Sequence, residues 1–280
     1  LIENKLWLTV GSKLEHNDYS GFEGQPSARI MWAPYMQHRL WAGVSRAART
    51  PARYEQDLTA LTGAIPTSPF TPPVTINIQG NPNYRSENVI SYEAGYRTSF
   101  AKSVSLDFTG FYNDYRNLRQ LSLGITDNPF VRELRFNNSA TAKTYGIEIA
   151  TVWQMLDWWR WDVNYSWLNT SLLQTDTITP TSPEQRASLR GEISPFTNVD
   201  FDFWFRYVDT NIAFDAAGSK RINPYVTLDL RLAYRPIKNI EFSLVGQNLL
   251  AEKHLEYIND NQTLPTAIDR GMYGKISWGF

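Results

Sequence analysis

The sequence predicts an all-β fold built from long antiparallel strands. Apolar and polar residues alternate over about 8 to 12 positions in roughly twelve separate segments. Short and long connections take turns between these segments, and no segment of useful length shows the spacing of an amphipathic helix. Strands in soluble proteins average about five or six residues, so the predicted strands are unusually long.

Each strand is identified by its own alternation. In the stretch PYVTLDLRLAYRP (224–236), every second residue from Val226 to Tyr234 is apolar, while Thr227, Asp229 and Arg231 lie on the opposite face. The stretches SVSLDFTGFYNDY, DWWRWDVNYSW and NVDFDFWFRY alternate in the same way. The same template predicts strands in the segments that begin near Leu6, Gln25, Gln37, Asn88, Thr144, Arg186, Ile240 and Gly271.

The connections between the strands are of two kinds. The short ones are predicted at 33–38, 100–103, 154–157, 194–198 and 235–239. The long ones are predicted near 47–84, 119–131, 170–184, 208–223 and 248–269. Antiparallel strands joined by short turns at one end and long loops at the other are typical of a transmembrane β-barrel, in which the short turns are periplasmic and the long loops extracellular. A soluble β-sandwich also alternates and is the competing interpretation.

The distribution of charge favours the transmembrane antiparallel up-and-down β-barrel. Most strands carry charges on their polar face and almost none on their apolar face. A charge that faces lipid near the bilayer midplane costs about 2 to 4 kcal/mol, which explains such a bias. Aromatic residues gather toward the strand ends on the apolar face, as in interfacial girdles, at Tyr96, Phe100, Trp153, Trp159, Tyr207, Tyr234, Trp278 and Phe280.

Composition excludes several other classes. The chain has 27 basic and 28 acidic residues, so no polybasic surface for nucleic acid is expected. It lacks cysteine, which excludes disulfides and thiolate metal sites. No apolar run approaches the roughly 18 to 20 residues of a membrane-spanning helix. The three histidines have no partner at metal-ligand spacing, so no metal site and no cofactor is predicted.

Several stretches resemble the C-terminal half of the barrel of TonB-dependent outer-membrane receptors. They include QPSARIMWAP, LWAGVSRAARTPARYEQD, GNPNYRSENVISYEAGYR, TYGIEIATVW and FSLVGQNLLAEKHLEY, in the order of that family. The resemblance implies a barrel of about 22 strands that encloses a plug. It makes residues 1–280 the C-terminal part of the barrel domain, with the plug absent. Because the chain begins inside a patterned segment without a leader, we expect a fragment of a longer receptor.

The resemblance also implies a function. Such receptors reside in the outer membrane of Gram-negative bacteria and import scarce large ligands, here most simply a ferric siderophore, with cobalamin, haem or another chelate as alternatives. The implied partners are the TonB–ExbB–ExbD system through the plug, the lipid bilayer with its lipopolysaccharide, and the barrel-assembly machinery. The terminal Phe280 resembles the signal that this machinery reads. The alternatives are a self-contained porin-like channel and, more remotely, a soluble carbohydrate-binding β protein.

Candidate ligand-binding residues lie where two strands leave the barrel rim. Arg46, Arg49 and Arg53 fall within eight positions beside Tyr54 and are suited to an anionic ligand, because guanidinium groups pair bidentately with carboxylates and phosphates. Pairing with lumenal carboxylates, a plug or lipopolysaccharide phosphates is the structural alternative. A second group, at the top of an ascending strand, comprises Tyr115, Arg116 and Arg119. The Pro-rich loop 63–85 suits either a lid over the mouth or a plain exposed loop.

Mixed charges on the polar face are predicted to form cross-strand pairs that line the lumen or contact a plug. They are Glu93, Arg97, Asp107, Arg186, Arg190, Asp202, Arg206, Asp229 and Arg231. No nucleophile elbow, phosphate loop or zinc motif is present. His16 with Asp18 is the one local candidate for catalysis, and no enzyme is predicted.

Overall fold

The computed structural model describes residues 2–100, 103–173, 182–215, 218–257 and 266–279. Phe280, the predicted assembly signal, lies outside the described residues. The strands and the one helix are β1 (Leu6–Asn17), β2 (Gly21–Tyr35), β3 (His38–Arg49), α1 (Arg53–Asp57), β4 (Thr59–Ile65), β5 (Val74–Gln79), β6 (Glu87–Phe100), β7 (Val104–Leu123), β8 (Val131–Leu156), β9 (Trp159–Leu173), β10 (Gln185–Phe196), β11 (Val199–Val208), β12 (Asn211–Asp215), β13 (Gly218–Ile222), β14 (Tyr225–Ile237), β15 (Ile240–Gln247), β16 (Lys253–Leu255), β17 (Ala267–Asp269) and β18 (Gly271–Trp278).

Twelve of these strands form one antiparallel path, in the order β1-β2-β3-β6-β7-β8-β9-β10-β11-β14-β15-β18. Neighbours along the path are consecutive in the sequence once the small strands of the loops are set aside, so the sheet is an up-and-down meander. The predicted all-β class and the count of roughly twelve long strands are confirmed. The strands β1 and β18 lie at the two ends of the path.

The register places the two kinds of side chain on opposite faces. Phe203 lies opposite Leu230 across β11 and β14, and Asp202 lies opposite Arg231 one position along. Directly opposed residues share a face, so one face of the sheet is apolar and the other carries the charges. The apolar face is uncovered, with Leu232 51% exposed. No helix among the described residues is long and apolar enough to cross a membrane.

The short turns follow one structural plan. Residues 36–37, 197–198 and 238–239 connect the strands of three hairpins, and the ladder shifts register just before each connection. Each irregular segment contains a proline, at Pro34, Pro195 and Pro236. Because proline has no N–H to donate to a ladder, it is accommodated at a bulge and not in regular pairing.

One hairpin extends farther than predicted. The β7 and β8 strands are 20 and 26 residues long, and β8 begins at Val131, so the prediction of a strand start near Thr144 and a loop at 119–131 was wrong. Two register shifts interrupt the ladder between Tyr115 and Gln120, and Asn117 adopts a positive φ of 58°. These bulges break the period of two, which is why the alternation template stopped there.

The long connection between β3 and β6 has its own structure. It contains α1 and the β4–β5 hairpin, and β5 pairs in parallel with β8 over Val131–Arg135. The segment therefore crosses the β6–β7 pair to reach the far edge of β8. A side chain at Gly80 would place its Cβ 2.4 Å from the carbonyl oxygen of Gln56, so glycine permits this close approach of β5's end to α1.

Candidate functional site

An ion pair between a half-exposed guanidinium and a fully buried carboxylate joins the base of the long connection to β3. Arg49 is the last residue of β3, and Glu55 lies in α1 with its side chain 0% exposed. The Arg49 Nη2 and Nη1 atoms donate to the two carboxylate oxygens of Glu55 at 2.6 and 3.2 Å. The backbone N–H of Ala52 donates to the same carboxylate at 2.9 Å. The first turn of α1 and the end of β3 are thus joined by charge-assisted hydrogen bonds.

Two further residues complete this network, which we call the rim network and define as Arg49, Glu55, Tyr84 and Glu87. Arg49 Nη2 also donates to Glu87 Oε1 at 2.7 Å, and the buried Tyr84 hydroxyl donates to the same oxygen at 3.0 Å. The backbone N–H of Arg119 in β7 donates to it at 2.9 Å. Three separate segments of the chain therefore converge on one carboxylate.

The network keeps both carboxylates ionised. Burial opposes the charge on Glu55, but the hydrogen bonds from Arg49 and Ala52 outweigh it and hold the pKa of Glu55 below its usual value. Burial likewise opposes the charge on Glu87, but hydrogen bonds from Arg49 and Tyr84 hold the pKa of Glu87 below its usual value. Burial, followed by the charge of Glu87, raises the pKa of Tyr84. These groups satisfy one another, so their arrangement indicates a structural role.

Three accessible side chains lie beside the rim network. The Arg119 guanidinium contacts the Tyr54 hydroxyl, lies 3.6 Å from Glu55, and is 48% exposed. The Tyr54 ring is partly exposed and packs edge-on against Phe136 at a centroid distance of 5.6 Å. Arg53 in α1 is 83% exposed and lies 3.6 Å from Asp57. An aromatic ring and two exposed guanidinium groups are suited to an anionic ligand with aromatic parts.

The structure does not bring the three predicted arginines into one cluster. Arg46 and Arg49 are three positions apart in a strand and therefore lie on opposite faces. Arg46 lies on the face of Leu40 and Val44, where its guanidinium contacts the Gly24 carbonyl, the Asn88 amide oxygen and, at 3.2 Å, Glu23. Of the predicted set, Arg49, Arg53 and Tyr54 share one neighbourhood, and Arg46 belongs to another.

The second predicted group is divided in the same way. Arg116 pairs with Asp114 at 2.8 Å on the face that holds Asn88, whereas Tyr115 lies on the opposite face. Arg119, three residues farther and beyond the bulge at Asn117, belongs with Tyr54. Ligand contact by any of these residues stays a prediction.

The polar face carries the predicted cross-strand contacts. Arg97 Nε donates to Asp107 at 2.7 Å, and Arg206 lies 2.7 Å from Asp229. Arg231 pairs with Asp202 at 2.7 Å and with Glu241 at 2.8 Å. Arg190 instead pairs along its own strand with Glu192 at 2.9 Å. Within the described ranges, Glu93 and Arg186 have no ion-pair partner, and the contact of this face with a plug stays a prediction.

The polar face also contains a cavity of about 630 Å³. Among its lining residues, the Arg29 guanidinium lies 4.1 Å from the centre of the Trp41 ring, which in turn covers Gly95. Within the described residues, no group of three or more histidine, cysteine or acidic residues is arranged to hold a metal ion. The lining of this cavity offers a guanidinium group at Arg29 and an aromatic surface at Trp41.

Sequence reasoning missed Glu55, Tyr84 and Glu87 as partners of Arg49. The available signals were the glutamate three residues after Ala52 and the turn-forming stretch GNPNY that precedes Tyr84. Neither signal states which residue is the partner of which, because the contacts form only when residues 50–86 fold back onto the strands. Alternation, in contrast, already separates Arg46 from Arg49.

A meander of long strands, apolar on one face and charged on the other, defines the wall of an outer-membrane type of β-barrel. The family model "TonB dependent receptor-like, beta-barrel" matches residues 2–249. The chain belongs to this family.

Known relatives agree with this assignment. The ferric enterobactin receptor of Pseudomonas aeruginosa is 21% identical in an alignment of 266 positions that covers 88% of this chain and 35% of that protein. The siderophore receptor PirA from Acinetobacter baumannii superposes with a TM-score of 0.78 at 17% identity, covering 100% of this chain and 44% of PirA. A variant of the ferric enterobactin receptor PfeA from Pseudomonas aeruginosa gives a TM-score of 0.76 at 18% identity, covering 100% of this chain and 43% of PfeA. The chain thus spans less than half the length of these relatives.

Proposed function

We propose that this chain is part of the barrel of an outer-membrane receptor that imports a ferric siderophore with energy delivered by TonB. The family assignment supports the receptor class. The accessible group of Tyr54, Arg119 and Arg53 beside the rim network carries the proposal for the ligand, because ferric siderophores are commonly anionic. Relatives described as receptors for ferric enterobactin support a siderophore over the other chelates.

The remaining partners belong to the same proposal. The TonB–ExbB–ExbD system acts through a plug, the barrel-assembly machinery inserts the barrel, and lipopolysaccharide surrounds it in the outer membrane. The proposal assigns no catalytic step and no cofactor to the chain. The polar face lines the passage, and the apolar face contacts lipid.

The experiment is uptake and binding of radioactive ferric enterobactin in Gram-negative cells that produce the complete receptor as their sole route for this chelate. Arg119→Ala removes a guanidinium that is half exposed, so its contact with an anionic ligand is lost without a large change in the fold. Loss of one charge-assisted hydrogen bond of about 1.5 kcal/mol weakens binding roughly tenfold. Arg132→Ala is the matched control, since Arg132 is an exposed arginine of β8 with no ion pair among the described residues.

Energy dependence separates a receptor from a passive channel. Uptake through the proposed receptor stops in cells that lack TonB, whereas binding to the cell surface persists. Uptake that continues without TonB would identify a porin-like channel. Equal binding by wild-type receptor, Arg119→Ala and Arg132→Ala would refute the assignment of the ligand to this part of the rim.

A further inference from the structure

The hairpin of β7 and β8 rises above the barrel wall and forms a small sheet with β5 and β4. A transmembrane strand needs about 9 to 11 residues, whereas β8 has 26, so the first residues of β8 lie beyond the membrane. There the ladder runs from β7 through β8 and β5 to β4. We call this part the outer sheet and define it as residues 119–123, 131–137, 74–79 and 59–65. It stands in water, on the side of the long connections.

One face of the outer sheet is apolar. Residues that are paired in register, and residues two positions apart in one strand, lie on the same face. Leu121 is paired with Phe136, and Leu134 is paired with Ile78 in the parallel neighbour β5. The aliphatic members of this face include Leu121, Leu123, Leu134, Ile76, Ile78 and Ile65. The register therefore produces one continuous aliphatic surface across the four strands.

This apolar face is open to water in the part of the chain that the structure describes. The Leu123 side chain is 71% exposed, and Ile65, in the strand at the other edge, is 52% exposed. The opposite face is mostly polar, and there Arg135 pairs with Glu133 at 2.8 Å. A contiguous apolar patch of a few hundred Å² in water commonly marks a binding site.

The base of the apolar face joins the group of Tyr54 and Arg119. Arg119 precedes Leu121 by two residues in β7 and so lies on the same face, and the Tyr54 ring packs on Phe136, which also belongs to it. Among the described residues of this face there is no carboxylate, and the other cation, Arg132, lies at the far end, four positions or about 14 Å from Phe136 along β8. A cationic and aromatic base therefore continues directly into an aliphatic surface.

The size of the apolar face distinguishes between a protein and a small molecule as its occupant. Four strands spaced about 4.8 Å apart, with about five residues of about 3.4 Å each, give about 19 by 17 Å, or roughly 300 Å². A stable interface between proteins buries about 800 Å² on each partner. The face is therefore too small for a protein partner and matches a hydrocarbon group that belongs to a small ligand.

We propose that the ligand is amphiphilic: an anionic ferric chelate that carries an acyl chain. The chelate lies at Tyr54 and Arg119, where a guanidinium group and an aromatic ring suit an anionic head. The chain lies on the apolar face of the outer sheet, where its CH₂ groups are removed from water. This inference rests on the proposed function and specifies the chemical class of the siderophore.

The test compares two ferric chelates that share one anionic tris-catechol head and differ only by an N-decanoyl chain. Binding is measured on cells that produce the complete receptor, and binding to matched cells without the receptor is subtracted, because an acyl chain also enters lipid. The variants are Leu123→Ser and Ile65→Ser, two exposed residues in different strands, so a folding defect in one leaves the other informative. Leu61→Ser is the matched control, since Leu61 is 66% exposed and is paired with Asn77 on the opposite, polar face.

In the wild-type receptor, we expect the acylated chelate to bind at least about tenfold more tightly than the bare chelate, because each CH₂ group fully removed from water changes the Kd about fourfold. Leu123→Ser and Ile65→Ser should each reduce this advantage about threefold, whereas Leu61→Ser should retain it. Equal binding of the two chelates by the wild-type receptor would overturn the proposal and leave the face to another loop of the complete receptor or to a protein. An advantage that both variants retain, or that Leu61→Ser loses equally, would also overturn it.

Uptake of the bare chelate separates this inference from the proposed function. If the bare chelate is imported with dependence on TonB while the acyl chain gives no advantage, import stands and the acyl site alone is refuted. If neither chelate is bound or imported, both proposals are refuted.

Discussion

Replacement of Arg49 by alanine tests whether the rim network holds the connection 50–86 in place. The substitution removes both hydrogen bonds to Glu55 and the hydrogen bond to Glu87. It leaves the fully buried Glu55 carboxylate with the Ala52 N–H, the Tyr54 hydroxyl at 3.3 Å and the more distant Arg119. Glu87 keeps the Tyr84 hydroxyl and the Arg119 N–H. The barrel ladder itself is not altered, so the predicted effect is local.

The magnitude follows from burial. Breaking a buried ion pair by removing one partner costs about 3 to 5 kcal/mol, and an exposed pair is worth about 0 to 1 kcal/mol. Glu55 is fully buried, but the Arg49 side chain is 44% exposed, so water replaces part of what is lost. We therefore expect the free energy of local opening to fall by about 2 to 3 kcal/mol, which accelerates opening roughly 30- to 150-fold.

Hydrogen–deuterium exchange measures this opening directly. Peptides that cover residues 50–86 are expected to exchange faster in Arg49→Ala, while peptides from the β10–β11 hairpin keep the wild-type rate. Arg116→Ala is the control, since Arg116 is exposed and pairs only with Asp114 among the described residues. Unchanged exchange of residues 50–86 in Arg49→Ala, or an equal effect of Arg116→Ala, would refute the reasoning.

Three further predictions follow from the same structure. The pKa values of Glu55 and Glu87 are lowered in the folded protein. The stability that the two ionised carboxylates give to the folded protein is therefore complete above the ordinary glutamate pKa of about 4.3, and it is lost as the pH falls through their lowered pKa values. Exchange of residues 50–86, corrected for the intrinsic rate, should thus be constant from about pH 7 to 5 and rise only below about pH 4; a rise near pH 6 would contradict this. Gly80→Ala forces a Cβ to within 2.4 Å of Gln56 O and should accelerate exchange of α1, whereas Gly271→Ala, with its nearest neighbour at 4.0 Å, should not. Val163→Arg on the apolar face should lower the free energy of unfolding in the membrane by about 2 to 4 kcal/mol, seen as a smaller heat-modifiable folded fraction. Asn164→Arg, at the next residue of the same strand, should have little effect. Equal losses in the two variants would argue against a lipid-facing surface.

The strands could be predicted because their signal is local. A period of two over many residues states both the strand and its two faces, and the pairs Arg97–Asp107 and Asp202–Arg231 follow once neighbouring strands are in register. Alternation does not predict the first half of β8, because bulges in the β7–β8 ladder near Asn117 of β7 shift the register there. A bulge depends on the partner strand and leaves no period in the sequence of one strand.

The rim could be predicted only as far as alternation extends. Proximity in sequence groups Arg46 with Arg49, although their odd spacing places them on opposite faces of β3. The partners of Arg49 could not be found this way, because Glu55 lies in a helical turn and Tyr84 in a loop, and neither has a face that a period defines. What brings them together is the docking of β5 on β8, a parallel pairing between segments more than fifty residues apart.

The barrel wall and the rim differ in how freely their charged side chains can be substituted. On the barrel wall, each carboxylate of the pairs Arg206–Asp229 and Arg231–Asp202 faces a guanidinium, so a substitution there leaves a partner unpaired. At the rim, the network around Glu55 is likewise closed, but it holds Tyr54, Arg119 and Arg53 at its border with their outer sides open. Because the rim network holds the loop in place, the exposed residues beside it can be substituted without unfolding the loop. Arg49, Glu55 and Glu87 therefore hold the loop, and we expect substitutions of Tyr54, Arg119 and Arg53, the residues proposed to contact the ligand, to disturb the fold less.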